Sequence, residues 1–425
     1  MKKLRTFKRR DLLIISLVAC SCIIIVLLVT SSAALAGDFT EYPIPTAESR
    51  PVSITLGPDG ALWFTEYFGN KVGRISTDGN ITEYQIPTTG NNPVSIVSGP
   101  DGNLWFAMRP RKIGRVTTDG SISEYTIPTD CQPTDITVGP DGALWFTEFA
   151  GNKIGRITTE GNITEYGVGN APYSITSGPD GALWFTELHG HMIGRLTTGG
   201  SFTEYPVPTP GCKPWGITTG PDGALWFTEE VGNKIGRITT GGAITEYVIP
   251  TSSSLPTNII CGPDGALWFT EEVGNKIGRI TTGGAITEYV IPTLGSGPRG
   301  LTLGPSEEVW FTETSGNKIG KLEIAPLITG INPSSGDAGA TVQIMGKRFG
   351  STQSSSYVTF DSTRVTEYVG WSDQQITCYV PGGLSPGTCK VKVVTEYGTS
   401  NTVEFTVTSP IDPDYPYTYY LAEGT

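Results

Sequence analysis

Short runs in which apolar and polar residues alternate recur from Phe39 to Glu323, separated by glycine, proline and asparagine. One unit shows the arrangement. TDITVG, ALWFTE, KIGRITT and ITEYGV follow one another between Thr134 and Val168. A period of two predicts strands, and the G-P-D-G between the first two runs, with Pro second and Gly fourth, suits a type I turn. The second run differs from the others. In ALWFTE, Leu and Phe point one way and Ala and Trp the other, so the strand is apolar on both faces and has to be covered on both sides.

The phrase GPDGALWFTE, intact or altered, begins at Gly57, Gly99, Gly139, Gly178, Gly220, Gly262 and Gly304, at intervals of 42, 40, 39, 42, 42 and 42 residues. A period near 40 with four strands per unit predicts an all-β, seven-bladed β-propeller. The same slot holds Trp63, Trp105, Trp145, Trp184, Trp226, Trp268 and Trp310, which is expected of packing between blades. The seventh unit lacks its fourth run and leaves the pattern at Ala325-Pro326, whereas an orphan copy, FTEYPIP, stands at Phe39–Pro45. The N-terminal strand is therefore expected to complete the last blade and leave no open sheet edge.

From Pro326 the repeat gives way to PLITGINPSSGDAGATVQIMGKRFG, which resembles the opening of the IPT/TIG family. The resemblance covers 326–408 and implies an immunoglobulin-like β-sandwich serving as a binding or spacer module. The organisation expected is thus an N-terminal segment 1–36, a propeller 37–325, the sandwich 326–408, and a tail 409–425 that looks like the start of a further, truncated module.

Charge sharpens the picture at the N-terminus. MKKLRTFKRR precedes an apolar run from Leu12 to Thr30 and then SSAALAGD, which describes an export signal with an A-x-A site at Ala34–Ala36. A retained membrane anchor remains the alternative, since the run spans 19 residues. Leu17–Cys20 also resembles a lipoprotein box, and Arg9-Arg10 faintly a twin-arginine signal. Cleavage before Gly37 would leave 23 basic and 40 acidic groups, a net charge of −17. A chain of this balance without a basic block is not built for nucleic acid. The expected location is secreted or at the outer face of the envelope, with membrane contact only through an uncleaved N-terminal segment. In an oxidising compartment Cys378 and Cys389, flanking a Gly/Pro turn, are candidates for a disulfide across a hairpin, and Cys131, Cys212 and Cys261 lack zinc-site spacing.

A site needs asymmetry, and the repeat is mostly symmetric. Six of the seven second strands (strand b) end in glutamate: Glu66, Glu148, Glu187, Glu229, Glu271 and Glu313, with Met108 in the other unit. Placed at one mouth of the ring, they form either a cation-binding rim, with Glu271 and Glu313 as metal candidates, or ion pairs with the Lys or Arg of GNKIGR. The two residues after each strand-a proline vary from unit to unit. Among them Tyr173, Trp215, Thr257 and Arg299 are the ligand-binding candidates, together with Glu313, for a small-molecule, glycan or protein ligand over the channel of a monomeric propeller. His189 and His191, the sole histidines, form an H-x-H pair in an exposed turn with no evident third metal ligand.

The propeller units, with their P-x-x-I-T-x-G-P-D-G-x-L-W-F-T-E-x-x-G-N-K-I-G-R pattern, look like those of the virginiamycin B lyase family over about 39–325. The resemblance implies Mg²⁺-assisted elimination that opens a cyclic depsipeptide. It also implies a His after the strand-a proline in each of the last two units, a Glu before the final Pro-His, and a Glu ending the last strand b. Here those positions hold Thr257, Arg299, Gly297 and Glu313. Only Glu313 matches, and neither Thr nor Arg replaces imidazole as a base. The expected function is an exported binding protein on a lyase-like scaffold, with a C–O lyase acting on an extracellular substrate as the alternative.

Overall fold

The computed structural model describes residues 38–408 apart from 351 and 396. The expected export segment and the tail 409–425 lie outside the described residues. Among the described residues the regular structure is β-strand throughout, and no helix is long and apolar enough to cross a membrane.

Seven four-stranded antiparallel sheets succeed one another, each lettered a to d from the axis outwards. In blade 3 these are Pro133–Val138, Leu144–Glu148, Lys153–Ile157 and Ile163–Gly167. In blade 7 strands a to c are Pro298–Leu303, Val309–Glu313 and Lys318–Glu323, and the fourth is Asp38–Pro43. That strand pairs from Asp38↔Glu323 to Pro43↔Lys318, so the two ends of the repeat region interlock and the ring closes.

Strand b explains why the ring has to close. Its Leu-Trp-Phe triplet, Val-Trp-Phe in blade 7, is fully buried in every blade. Each apolar cluster between blades takes the Trp of one and the Leu and Phe of the next. Trp105, for example, packs in one cluster with Leu144, Phe146 and Ile157. The Trp also stacks on the strand-d Tyr of its own blade: Trp145 on Tyr166 at 5.3 Å between centroids, and Trp310 on Tyr42 of the closing strand at 5.6 Å. The opposite face admits no side chain on strand c, because a Cβ on Gly155 would lie 2.0 Å from the Phe146 ring.

The turn aspartate does more than turn the chain. Asp141 Oδ1 accepts the Trp145 indole N–H at 2.8 Å while Oδ2 takes Arg156 Nε at 2.6 Å. Blade 7, where the turn reads GPSE, shows the dependence. Trp310 Nε1 is buried without a partner, and Lys321 stands where the other blades carry arginine.

Residues 327–407 form a sandwich of two sheets. One orders Leu327–Asn332, Thr341–Lys347, Gln375–Tyr379 and Tyr368–Trp371, and the other is built on Gly387–Thr395 between Val403–Val407 and Tyr357–Phe360. The core contains Ile344, Phe349, Phe360, Val391 and Phe405. Cys378 and Cys389 are both buried and both free, contrary to the expected disulfide. The Gly/Pro segment between them carries the chain from one sheet to the other, so it is not a hairpin and the two strands are not paired. Arg348 ties the sandwich to the closing blade, donating to Asp38, to Glu323 at 3.2 Å and to the Ala325 carbonyl at 2.6 Å.

Removing residues 38–43 leaves strand c of blade 7 as an open edge and uncovers Trp310 on its Tyr42 side. The truncated chain is expected to unfold at much lower urea than the parent and to elute from a sizing column as aggregate. A monomer of unchanged midpoint would show that closure is not needed.

Candidate functional site

The start of strand a is irregular in the same way in six of the seven blades, the shift in blade 2 falling between Pro93 and Ser95. The a–b register shifts just after the strand-a proline, between Pro133 and Ile136 in blade 3 and between Pro298 and Leu301 in blade 7. Such a bulge re-aims side chains, and here it turns the two residues after each proline towards the axis. Those pairs line a central cavity of about 70 Å³. This holds a water or two, against the hundreds of cubic ångströms a drug-sized ligand needs. A drug-sized molecule is too large to enter it.

The strand-b threonine fixes the bulge. Thr147 Oγ1 takes the Asp135 N–H at 2.9 Å and donates to the Tyr173 carbonyl of the next blade at 2.8 Å. Thr270 does the same for Asn258 N and the Arg299 carbonyl, at 3.0 and 2.8 Å. Near the axis Asp135 accepts hydroxyl bonds from Ser95 at 2.6 Å and Ser174 at 2.7 Å, joining three successive blades. Burial raises its pKa, opposed by these hydroxyls and two backbone amides.

The candidate ligand residues separate into two groups. Tyr173 and Trp215 lie with ring centroids 4.2 Å apart, and the Arg299 guanidinium is 5.9 Å from the Trp215 ring. Arg299 is held by Glu272 at 2.8 Å, and Phe149 packs edge-on against Tyr173 at 6.0 Å. Together they make an aromatic and cationic platform on one side of the mouth. Thr257 lines the cavity but is only 1% exposed, and its hydroxyl is spent on Thr270 Oγ1 at 2.8 Å.

Glu313 and Glu271 lie elsewhere. Each strand-b glutamate is at the level of the mouth, opposite the strand-a proline, yet its side chain is buried within its own blade and lines no part of the cavity. It faces the strand-d glutamate: Glu66 lies against Glu83, Glu271 against Glu288, and Glu313 against Glu41. The expected pairing with GNKIGR is also redistributed. The lysine goes to the strand-d glutamate, as in Lys71–Glu83 at 2.7 Å, and the arginine to the turn aspartate, as in Arg74–Asp59 at 2.7 Å. Burial, and then the neighbouring strand-d charge, push Glu66, Glu229, Glu271 and Glu313 up to about 8. For Glu83, burial is outweighed by hydrogen bonds from Lys71 and Thr46, which hold it below the ordinary carboxylate value. In blades 1, 5 and 7 a carboxyl that favours its neutral form thus lies against one that favours its charged form. Blade 2 gives the control: Met108 fills the strand-b slot while Lys112–Glu124 persists at 2.6 Å, so the slot accepts an apolar side chain.

The histidines do not converge. His191, at φ 55°, takes the turn position that Asn233 holds in blade 5. Its Nδ1 accepts the Lys213 N–H at 3.3 Å, as Asn233 Oδ1 accepts that of Ser254. His189 packs edge-on against Phe149 at 5.4 Å. Among the described residues no three His, Cys, Asp or Glu side chains are grouped to hold a metal. Sequence reasoning missed Glu272 and Phe149. The signal was available, since the residue after the strand-b Glu or Met varies as much as the pair after the proline: Tyr67, Arg109, Phe149, Leu188, Glu230 and Glu272.

A closed seven-bladed propeller with a polar lattice repeated in most blades and a mouth that varies blade by blade is the class of protein these features define. Residues 31–171 and 167–338 match the virginiamycin B lyase family, and 326–407 match the IPT/TIG domain. The chain belongs to the virginiamycin B lyase family. A solved streptogramin B lyase is 42% identical over 67% of this chain and 97% of its own, with a TM-score of 0.64. A catalytically inactive virginiamycin B lyase variant from Staphylococcus aureus, solved with quinupristin, is 46% identical over 67% and 98%, also at 0.64. The virginiamycin B lyase of Bacillus licheniformis is 49% identical over 40 residues, 9% of this chain and 14% of that protein. That match spans about one repeat and only a small part of the relative.

The paired carboxyls predict a definite pH response. A strand-b glutamate raised from 4.5 to about 8 contributes stability that is complete below pH 4.5 and lost as pH rises to 8. The strand-d carboxyls of Glu41, Glu83, Glu124, Glu165 and Glu246 act oppositely, contributing above their unfolded pKa and losing that contribution as pH falls below it. Thermal unfolding is expected to be highest near pH 4.5–5 and to fall towards pH 8. Glu66→Gln should flatten that slope by at most ~1.4 kcal/mol per pH unit. A midpoint that rises from pH 5 to 8 would contradict the assignment of neutral carboxyls.

Proposed function

We propose that this protein binds a ligand at the variable mouth of the propeller and lacks the elimination chemistry of its enzymatic relatives. The observation that carries the reading is the fate of the two positions where the family resemblance implies histidine. Thr257 is buried, with its hydroxyl committed to Thr270. Arg299 is ion-paired to Glu272 beneath Trp215 and has no proton to exchange at neutral pH. Glu313, the matching carboxylate, faces Glu41 and Lys318 inside blade 7. These residues do not fit an Mg²⁺ site, since neither imidazole is present and the carboxyl points away from the cavity.

What the mouth does offer is ring faces and a fixed cation. Tyr173 and Trp215 suit a flat or ring-shaped group, and Arg299 an acceptor beside it. A cyclic peptide or a glycan has both features. The same proposal places the mature chain outside the cytoplasm, on the strength of the basic, apolar and A-x-A succession ahead of Gly37. The sandwich, fastened by Arg348, then acts as a spacer or second binding module.

Incubating the mature chain with Mg²⁺ and a streptogramin B is expected to return the intact ring by mass. Turnover, lost in Glu313→Gln, would overturn the reading in favour of a C–O lyase. Saturation-transfer NMR against streptogramins and oligosaccharides is expected to give binding without turnover. Trp215→Ala should weaken it by about 2 kcal/mol or more, with the thermal midpoint nearly unchanged.

A further inference from the structure

Blade 4 departs from its sisters at one internal position. In the other six blades the strand-d glutamate is met by the lysine that opens strand c and by a threonine from the preceding connection. For Glu246 these are Lys234 at 2.7 Å and Thr209 at 2.9 Å, and for Glu41 of the closing strand Lys318 at 2.8 Å and Thr293. An ammonium thus sits beside the carboxyls in each of those six. In blade 4 Met192 replaces the lysine, and the connection Val168-Gly169-Asn170-Ala171-Pro172 is shorter and holds no threonine. The carboxyls themselves are kept, as Glu187 on strand b and Glu204 on strand d.

The series across the ring is instructive. Blade 2 pairs one carboxyl, Glu124, with one lysine, because Met108 fills the other slot. Blades 1, 3, 5, 6 and 7 hold two carboxyls and one lysine. Blade 4 holds two carboxyls and, among the described residues, no ion pair to either. Glu187 is 1% exposed and its Oε1 is buried without a hydrogen-bond partner.

The two carboxyls also point at a common space. A side-chain carbon built on Gly169 would lie 2.0 Å from Glu204 Oε1 and 2.5 and 2.8 Å from the two oxygens of Glu187. Only glycine fits there, because the two carboxyls close on the place a side chain would take and so lie within reach of one shared ion. Glu204 is on the exposed side, so an ion can enter and water can reach it.

We propose that Glu187 and Glu204 bind a hard divalent cation, Ca²⁺ by preference, in the place that a lysine ammonium occupies in the sister blades. Two carboxylates supply up to four oxygens, and water on the Glu204 side completes the shell. The irregular and open geometry favours Ca²⁺, which accepts about six to eight oxygens loosely arranged, over Mg²⁺, which demands an octahedron. The ion neutralises the one slot that the chain leaves acidic, and fastens strand b to strand d beside the aromatic side of the mouth.

The test is calorimetric titration of Ca²⁺ into the metal-free mature chain at pH 7, with thermal unfolding alongside. One site of submillimolar to millimolar affinity is expected, raising the midpoint. Glu204→Gln, at the surface, should abolish both responses. Met192→Lys should abolish them as well, while raising the metal-free midpoint towards the calcium-loaded one, because it supplies the cation internally. No heat and no shift at millimolar Ca²⁺ or Mg²⁺ would overturn the proposal, as would a response that survives in both variants. No calcium response, together with a midpoint gain on acidification that is smaller in Glu204→Gln than in the parent, would overturn the proposal in favour of a proton shared by Glu187 and Glu204.

Discussion

Everything in this molecule depends on a strand that cannot tolerate water on either face. Leu-Trp-Phe in strand b presents large apolar groups to both sides, so no blade is stable alone and each needs a neighbour in front and behind. An open row of such blades would leave two uncovered ends. The chain resolves this by bringing Asp38–Pro43 to the outside of the last blade, where Tyr42 covers Trp310. Closure abolishes the free edge and defines an axis.

A polar lattice runs through that apolar stack. The turn aspartate takes the indole N–H and the strand-c arginine, and the strand-b threonine holds the bulge carbonyl of the next blade. The strand-d glutamate gathers a lysine and a threonine from across the blade boundary. Each of these satisfies a buried donor or acceptor that burial would otherwise make costly. The exceptions obey the same accounting. Where blade 7 lacks the aspartate, it also lacks the arginine, and its indole N–H goes without a partner. Where blade 2 lacks the strand-b glutamate, methionine takes the space, because the group it replaces is neutral.

The consequence for function is a division of labour. The lattice leaves a pair of residues from each of the seven strands a facing the axis and a variable residue after each strand b. Chemistry on this scaffold is therefore set by some twenty positions, while the rest of the propeller remains unchanged. Here those positions bring an aromatic pair and an ion-paired arginine to one sector, and carry neither histidine nor an exposed carboxylate of the lyase type at Thr257, Arg299 and Glu313.

The blade count, the closing strand and the grouping of Tyr173, Trp215 and Arg299 at the mouth were legible in the sequence. All three follow from periodicity, which a repeat prints at fixed spacing. The direction of the glutamates was not legible. Glu313 ends strand b opposite Pro298, but whether it faces the axis or the blade depends on the bulge that turns strand a aside and on Glu41, which comes from the opposite end of the repeat region. The free state of Cys378 and Cys389 likewise depends on a chain that changes sheets between them. By itself the sequence determined the number and order of strands and which residues face inwards, because alternation and repeat length are local properties. The charge state of the buried carboxyls, the partner of each lysine and the approach of Glu187 to Glu204 were decided only when strands and repeats were stacked together, because Coulomb energy and desolvation depend on neighbours that sequence spacing does not specify.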